Sequence, residues 1–309
     1  MQPLTSDKAD PPVDTSSETS KLRTSQQRVS RRRFLKSMIG SIVAAPFLMG
    51  AYSRWVEPKW IRSRELTIAT QRLPQAFQGM RIAHLSDLHF GDHTSEQEVD
   101  SLISRVMKAR PDMICFTGDL VEDHKVSGKA IIPYLKKLRA PFGQYAVLGN
   151  HDYRRGTDLA TEVLTEAGID VLTNKARILS HIGSSMAIAG IDDALDGTPE
   201  MGNALASVPD EMWTLLLAHE PDWADYTVSS HVDMQLSGHS HGGQIRAPFY
   251  GPIFLPEMGK RYPDGVYTLP REHDHPLMVH TSRGLGTTLL PLRLFCPPEW
   301  TMITLQSEM

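Results

Sequence analysis

The chain has 309 residues, enough for one large domain or two ordinary ones, and carries a formal net charge of -4 with 22% charged residues. That balance supplies no global basic field, which disfavours nucleic acid as a partner. Two cysteines, Cys115 and Cys296, cannot build a disulfide framework, and they read as core thiols or at most one bridge.

In chain order, residues 1–29 are mostly Ser, Thr, Asp, Gln, Pro and Lys, too polar to offset the entropy of ordering, and a disordered leader is expected. Ser30-Arg31-Arg32-Arg33-Phe34-Leu35-Lys36 follows, then an uncharged stretch from Ser37 to Ser53 with Ile39, Ile42, Val43, Phe47, Leu48 and Met49. This pair of segments resembles a twin-arginine export signal. The resemblance implies the twin-arginine export machinery as a partner and a location in the periplasm or on the outer face of the cytoplasmic membrane. Because the apolar stretch is short and interrupted by Pro46, and no clean Ala-x-Ala site precedes Arg54, both a cleaved signal and an uncleaved anchor stay open. The division expected is 1–53 as leader plus signal or anchor and 54–309 as one domain.

From Glu65 onward short apolar strands alternate with helical stretches, an α/β pattern. Arg81 to Leu85 predicts a strand, Ser95 to Arg110 a helix with Val99, Leu102, Ile103, Val106 and Met107 on one face, and Met113 to Phe116 a second strand. Further strands are predicted at Tyr145–Leu148, Met186–Ile191, Thr214–Ala218, Met234–Leu236, Leu277–His280 and Met302–Leu305.

Directly after these strands, where open α/β sheets place ligands, stand Ser86-Asp87-Leu88-His89, Thr117-Gly118-Asp119, Gly149-Asn150-His151-Asp152, Ala218-His219-Glu220 and Gly238-His239-Ser240-His241-Gly242-Gly243. Any one of these would pass for a turn or a cap. Carboxylate oxygen with imidazole suits Mn, Fe or Zn, and the lack of an accompanying Cys disfavours a structural zinc site. His84 reads as a core position, and His280 ends a strand. His93, His124, His181, His231, His273 and His275 read as surface.

The five pieces in this order resemble the calcineurin-like metallophosphoesterase family, from about Arg81 to the carboxyl end. The resemblance implies a β-sandwich flanked by helices, four layers αββα, with two divalent metals at the strand ends. It makes Asp87, His89 and His241 ligands of one metal and Asn150, His219 and His239 ligands of the other, with Asp119 bridging both. It further implies a phosphodiesterase attacking a phosphodiester or pyrophosphate bond through a metal-bridging hydroxide. His151 would protonate the leaving oxygen, and Asp152 would orient its ring.

Leu120-Val121-Glu122-Asp123-His124 after Asp119 lacks the early Arg of the family's protein phosphatases, which counts against phosphoprotein substrates. Gly242-Gly243-Gln244-Ile245-Arg246 and Thr281-Ser282-Arg283-Gly284-Leu285-Gly286 resemble an exported or membrane-associated bacterial branch. Some members of that branch cleave the pyrophosphate of a UDP-linked acylated glucosamine. A non-catalytic metal-binding scaffold is the competing class. Pro248 to Pro256 is apolar and aromatic close to His241, so it is expected either to hold a lipid-linked substrate at a membrane surface or to cap the sandwich. Arg154 and Arg155 are candidates to grip a phosphate or headgroup.

Overall fold

The computed structural model describes residues 31–91, 94–122, 128–271 and 275–308. The expected leader and the positions of His93, His124 and His273 lie outside the described residues. The chain falls into two units, Met1–Pro46 and Phe47–Met309. Helix α1 spans Arg31–Trp55. Pro46 was expected to interrupt the apolar stretch, but the helix runs through it. A proline forfeits one i→i−4 bond, and the remaining turns of an uncharged, Ala-containing run hold the helix. Leu35–Lys59 reaches a mean hydropathy of 1.3 and is long and apolar enough to cross a membrane by length and composition.

In the second unit, a six-stranded sheet is built from β1 (Arg62–Thr70), β2 (Arg81–Leu85), β3 (Met113–Thr117), β4 (Gln144–Val147), β5 (Asp170–Val171) and β14 (Glu299–Ser307), ordered β1-β14-β2-β3-β4-β5. The second sheet comprises β6 (Lys175–His181), β7 (Ser184–Gly190), β8 (Thr214–Leu217), β9 (Met234–Ser237), β12 (Gly265–Leu269) and β13 (Leu277–Thr281), ordered β12-β13-β9-β8-β7-β6. Between β9 and β12 in sequence, β10 (Arg246–Ala247) and β11 (Gly251–Pro252) form a small hairpin.

The apolar residues sort into three clusters that define the layers. Ile82, Met113, Cys115, Val147, Ile188, Leu215, Leu236 and Ile303 come from both sheets and fill the space between them. Helices α2 (Glu96–Lys108), α3 (Ile132–Leu135) and α5 (Thr157–Glu166) cover the outer face of the first sheet. Helices α6 (Met201–Leu205) and α7 (Ala224–Thr227) cover the second. The four-layer αββα sandwich is therefore the fold. Helix α2 starts where its sequence says: Ser95 accepts from the Glu98 amide while Glu98 reaches back, a reciprocal cap, and Val99, Leu102, Ile103 and Val106 are buried. Strands β2, β3, β4, β7, β8, β9, β13 and β14 fall on the expected runs; β1, β6 and β12 were not expected, because exposed and half-exposed residues alternate along them. Cys115 and Cys296 are both buried and free, so no bridge forms.

Parallel pairing of β2, β3 and β4 in one sheet and of β7, β8 and β9 in the other brings their carboxyl ends to one edge. The five His, Asp and Asn loops leave from that edge.

Candidate metal centre

The loop geometry is set by residues held in unusual backbone conformations. Asp87, His89, Asp119, His239 and His241 all have positive φ, between 43° and 65°. Left-handed conformations at non-glycine residues persist where surrounding structure forces them, and they cluster at functional sites. Two glycines let the loops close in. A Cβ on Gly149 would collide with Asp119 and with the His219 ring, and one on Gly238 would collide with Ser86 and Asp87.

The side chains so placed converge. Asp87, His89, Asp119 and His241 offer ligand atoms that all lie within 4.8 Å of one another, and all four are buried. His89 Nε2 is 3.0 Å from His241 Nε2 and 3.5 Å from Asp119 Oδ2. His219 Nε2 is 3.3 Å from that same Asp119 oxygen and 3.3 Å from His239 Nδ1. Asn150 Oδ1 stands 3.1 Å from His239 Nδ1. All seven expected ligand positions are thus in one place, with Asp119 Oδ2 between two groups.

Outer hydrogen bonds decide which ring nitrogens carry protons. His89 Nδ1 meets the Glu122 carboxylate at 2.7 Å, His219 Nδ1 meets the Thr117 carbonyl at 2.6 Å, and His239 Nε2 meets the Glu257 carbonyl at 2.8 Å. Each outer nitrogen must donate to a partner that only accepts, so each inward nitrogen of the neutral ring presents a lone pair. Lone pairs from three rings, together with the buried oxygen Asp87 Oδ2, which has no hydrogen-bond partner among the described residues, make a donor set that suits divalent cations. Two acceptors such as Asn150 Oδ1 and His239 Nδ1 face each other at this distance across a cation, or with the amide turned so that its oxygen takes Arg154 Nη1 at 3.0 Å.

Charges follow the same geometry. Burial alone would raise the Asp119 pKa, but His219, His89 and His151 hold it well below the usual carboxylate range. Burial, with the charges of His89 and Arg293, pushes His241 well down. Burial and the His219 charge bring His239 to about 4.

His151 was expected to be oriented by Asp152. Among the described residues, Glu122 does this instead: its Oε2 lies 2.8 Å from His151 Nδ1. Asp152 is buried with its oxygens 2.9 Å from the Leu120 amide and 3.0 Å from the Gly149 amide. It sits at the third position of helix α4 (Asn150–Arg155), where a carboxylate turns back onto the helix start, so it ties two loops together. Burial and the neighbouring Asp119 charge raise its pKa to about 6. Sequence reasoning passed over Glu122, although its place three residues after Asp119 was visible. It also passed over Arg293, which is fully buried, bonds the carbonyls of Arg283, Gly286 and Cys296, and lies 3.3 Å from His241 Nδ1.

Above the cluster opens a cavity of about 840 Å³. Asp119, Asn150, His151, His239 and His241 form its floor, while Ile245, Ile253, Phe254, Leu289 and Leu290 line its wall. Arg154 also borders it and pairs with Asp196 at 2.7 Å, whereas Arg155 does not line it. The apolar segment 248–256 does not cap the sandwich: Phe249, Tyr250, Ile253 and Phe254 are exposed. His84 and His280 are core residues, and His181 and His231 are half-buried rather than surface.

A four-layer sandwich with His and Asp clusters at its strand ends fits a metal-dependent phosphoric ester hydrolase. The chain belongs to the calcineurin-like phosphoesterase family, whose family model matches residues 80–243. It is 40% identical over 288 residues to the uncharacterized metallophosphoesterase YkuE of Bacillus subtilis, covering 91% of this chain and 99% of that one. It is 32% identical over 285 residues to phosphodiesterase YaeI of Escherichia coli, covering 90% and 99%. Similarity extends, at 28% identity over 317 residues, to UDP-2,3-diacylglucosamine pyrophosphatase LpxG of Chlamydia muridarum, covering 84% and 93%.

Proposed function

We propose that the chain is an exported dinuclear phosphodiesterase that hydrolyses a phosphodiester or pyrophosphate bond in a substrate with an apolar portion. The observation that carries this reading is the outward tethering of His89, His219 and His239, which leaves their inner lone pairs around Asp119. Asp87, His89 and His241 would hold one ion, Asn150, His219 and His239 the other, and Asp119 would bridge them. Mn, Fe or Zn fits such a set of oxygen and imidazole donors. Bound there, the ions supply Lewis-acid polarisation of the phosphate and acidify a water for attack.

The chain's own groups do the rest. His151, tied through Nδ1 to Glu122, has its Nε2 near Thr288 Oγ1 at 3.4 Å, from where it can donate a proton to the leaving oxygen. The wall of Ile245, Ile253, Phe254, Leu289 and Leu290 offers contact to an acyl or other apolar group of a substrate whose phosphate reaches the floor. Export is supported by Ser30-Arg31-Arg32-Arg33-Phe34-Leu35-Lys36 and the apolar helix it opens. A UDP-2,3-diacylglucosamine-type pyrophosphatase is the second reading, favoured by the relative LpxG and by the apolar wall.

The test is metal analysis of the purified chain beside turnover of an aryl phosphodiester. Two divalent ions per chain and loss of activity in Asp119→Ala are expected. Turnover that survives chelation would overturn the reading, and bound metal without any turnover on phosphodiesters, nucleotide-sugar lipids or phospholipids would leave a scaffold.

A further inference from the structure

Three segments of the second unit adjoin one another, the first two bordering the cavity, and present apolar side chains to solvent. The first is the β10–β11 hairpin with the residues after it, where Phe249 is 110% exposed, Tyr250 80%, and Ile253 and Phe254 are exposed as well. The second is the loop carrying Leu289, 83% exposed, with Leu290 and Phe295. Gln244 joins these two, donating to the carbonyls of Thr288 and Leu290, and the Arg246 amide bonds the Leu294 carbonyl. The third is the carboxyl end of α1 and the turn after it, with Trp55, Val56 and Trp60 exposed. It is fixed to the second segment by the Arg293 amide on the Ser53 carbonyl and by Glu57, which accepts from the Phe295 and Cys296 amides.

A soluble surface has no use for this arrangement, and two further facts say what does. Phe249, Leu289 and Phe295 all have positive φ, between 54° and 65°, so bulky residues are held in a disfavoured backbone conformation while half or more of each residue's surface stays open to solvent. Next to the third segment, Phe47, Leu48 and Met49 are also exposed, on a helix apolar and long enough to cross a bilayer, and Arg54, Lys59 and Arg62 follow within a few residues. Exposed apolar and aromatic tips with lysine and arginine beside them suit the boundary between acyl chains and anionic headgroups.

We propose that these three segments form a membrane-docking face, which sinks Phe249, Tyr250, Leu289 and Phe295 into the lipid surface and opens the cavity onto it. A second copy of the chain fits worse. The tips of the hairpin and of the Leu289 loop stand beside the cavity, so a rigid partner matched to them would cover it, whereas fluid hydrocarbon takes up projecting side chains of any shape. The inference rests on the cavity being the active site only for its purpose. Docking itself is read without turnover, so its failure and the failure of the phosphodiesterase reading are separate results.

The test uses the full chain with Phe249→Cys, labelled with an environment-sensitive fluorophore; Cys115 and Cys296 are buried and stay unlabelled. Ile182→Cys is the control. It is 81% exposed in the β6–β7 turn, at the amino end of β7, away from the strand ends that carry the centre. With vesicles of phosphatidylcholine and phosphatidylglycerol, the label at 249 is expected to gain emission several-fold and to be quenched by lipids with brominated acyl chains, while the label at 182 does neither. Protein that floats with vesicles while the 249 label stays in water would overturn the proposal, because the helix alone would then be the anchor. An equal emission gain without lipid that depends on protein concentration would also overturn it and assign the face to self-association.

Discussion

Glu122 Oε2 lies 2.7 Å from His89 Nδ1 and 2.8 Å from His151 Nδ1, so one carboxylate orients a candidate metal ligand and the candidate proton donor together. Partial burial would raise its pKa, yet the hydrogen bonds from His151 and His89 and their charges bring it down to about 2, so it stays ionised at any working pH. Glu122→Gln keeps the shape and removes the charge, and turnover is expected to fall ~10- to 100-fold, as for other partners that orient a metal ligand. His151→Ala should cost ~10²- to 10⁴-fold with metal content nearly unchanged, and less with a nitrophenolate leaving group that needs no proton. Equal losses across leaving groups would count against the proton-donor role. Asp152→Ala should behave differently, since its oxygens hold the amides of Leu120 and Gly149. A loss of stability of ~1–3 kcal/mol per amide left unsatisfied is expected in urea denaturation. Unchanged stability with lost turnover would return to Asp152 the orienting role that the sequence suggested.

At the scale of elements, β2 and β13 face each other across the sandwich, and each contributes a histidine to the interior. His84 Nδ1 is 3.0 Å from His280 Nδ1, and His84 Nε2 is 2.8 Å from Thr117 Oγ1. Burial pushes the His84 pKa from an ordinary 6.5 down to about 3, and burial with the nearby His84 pushes His280 well below 6.5. Both rings are therefore neutral in the folded chain and take up protons on unfolding below about pH 6.5. With folded values below unfolded ones, the chain binds fewer protons when folded, and stability is lost as pH falls from about 6.5 toward the folded values. Urea denaturation of chelated protein should show this between about pH 6 and 4.5. His280→Leu should lower the slope by up to ~1.4 kcal/mol per pH unit, the worth of one proton. An unchanged slope would mean that the acid sensitivity lies elsewhere.

For the molecule as a whole, the proposed export and the docking face concern the same matter, which is where the cavity meets its substrate. Replacing Arg31 and Arg32 with Lys keeps the positive charge and alters only the arginine pair. If that pair is read as an export signal, the double variant should stay in the cytoplasm while its folded domain retains aryl phosphodiesterase activity in cell lysates. Finding it outside the cytoplasm by fractionation would refute the assignment.

The sequence by itself determined the α/β class, because eight apolar runs of strand length lie on strands, and the Ser95-x-x-Glu98 cap and one-faced periodicity of α2 are local. It also marked the loops after the strands whose His, Asp and Asn residues the folded chain gathers at one edge, since strand ends are where parallel sheets bring their loops together. The division of those residues between two metals came from the family resemblance and stands as a proposal. Only the tertiary structure decided the rest. Strands β1, β6 and β12 exist because neighbours supply backbone partners, which their half-exposed side chains do not announce. Whether Asp152 or Glu122 holds His151 depends on which carboxylate faces the ring, and residues one and 29 positions away in sequence are equal candidates until the loops fold. The exposure of Phe249 and Leu289 was undecidable for the same reason. An apolar loop is buried or bare according to what packs over it, and among the described residues nothing covers these tips.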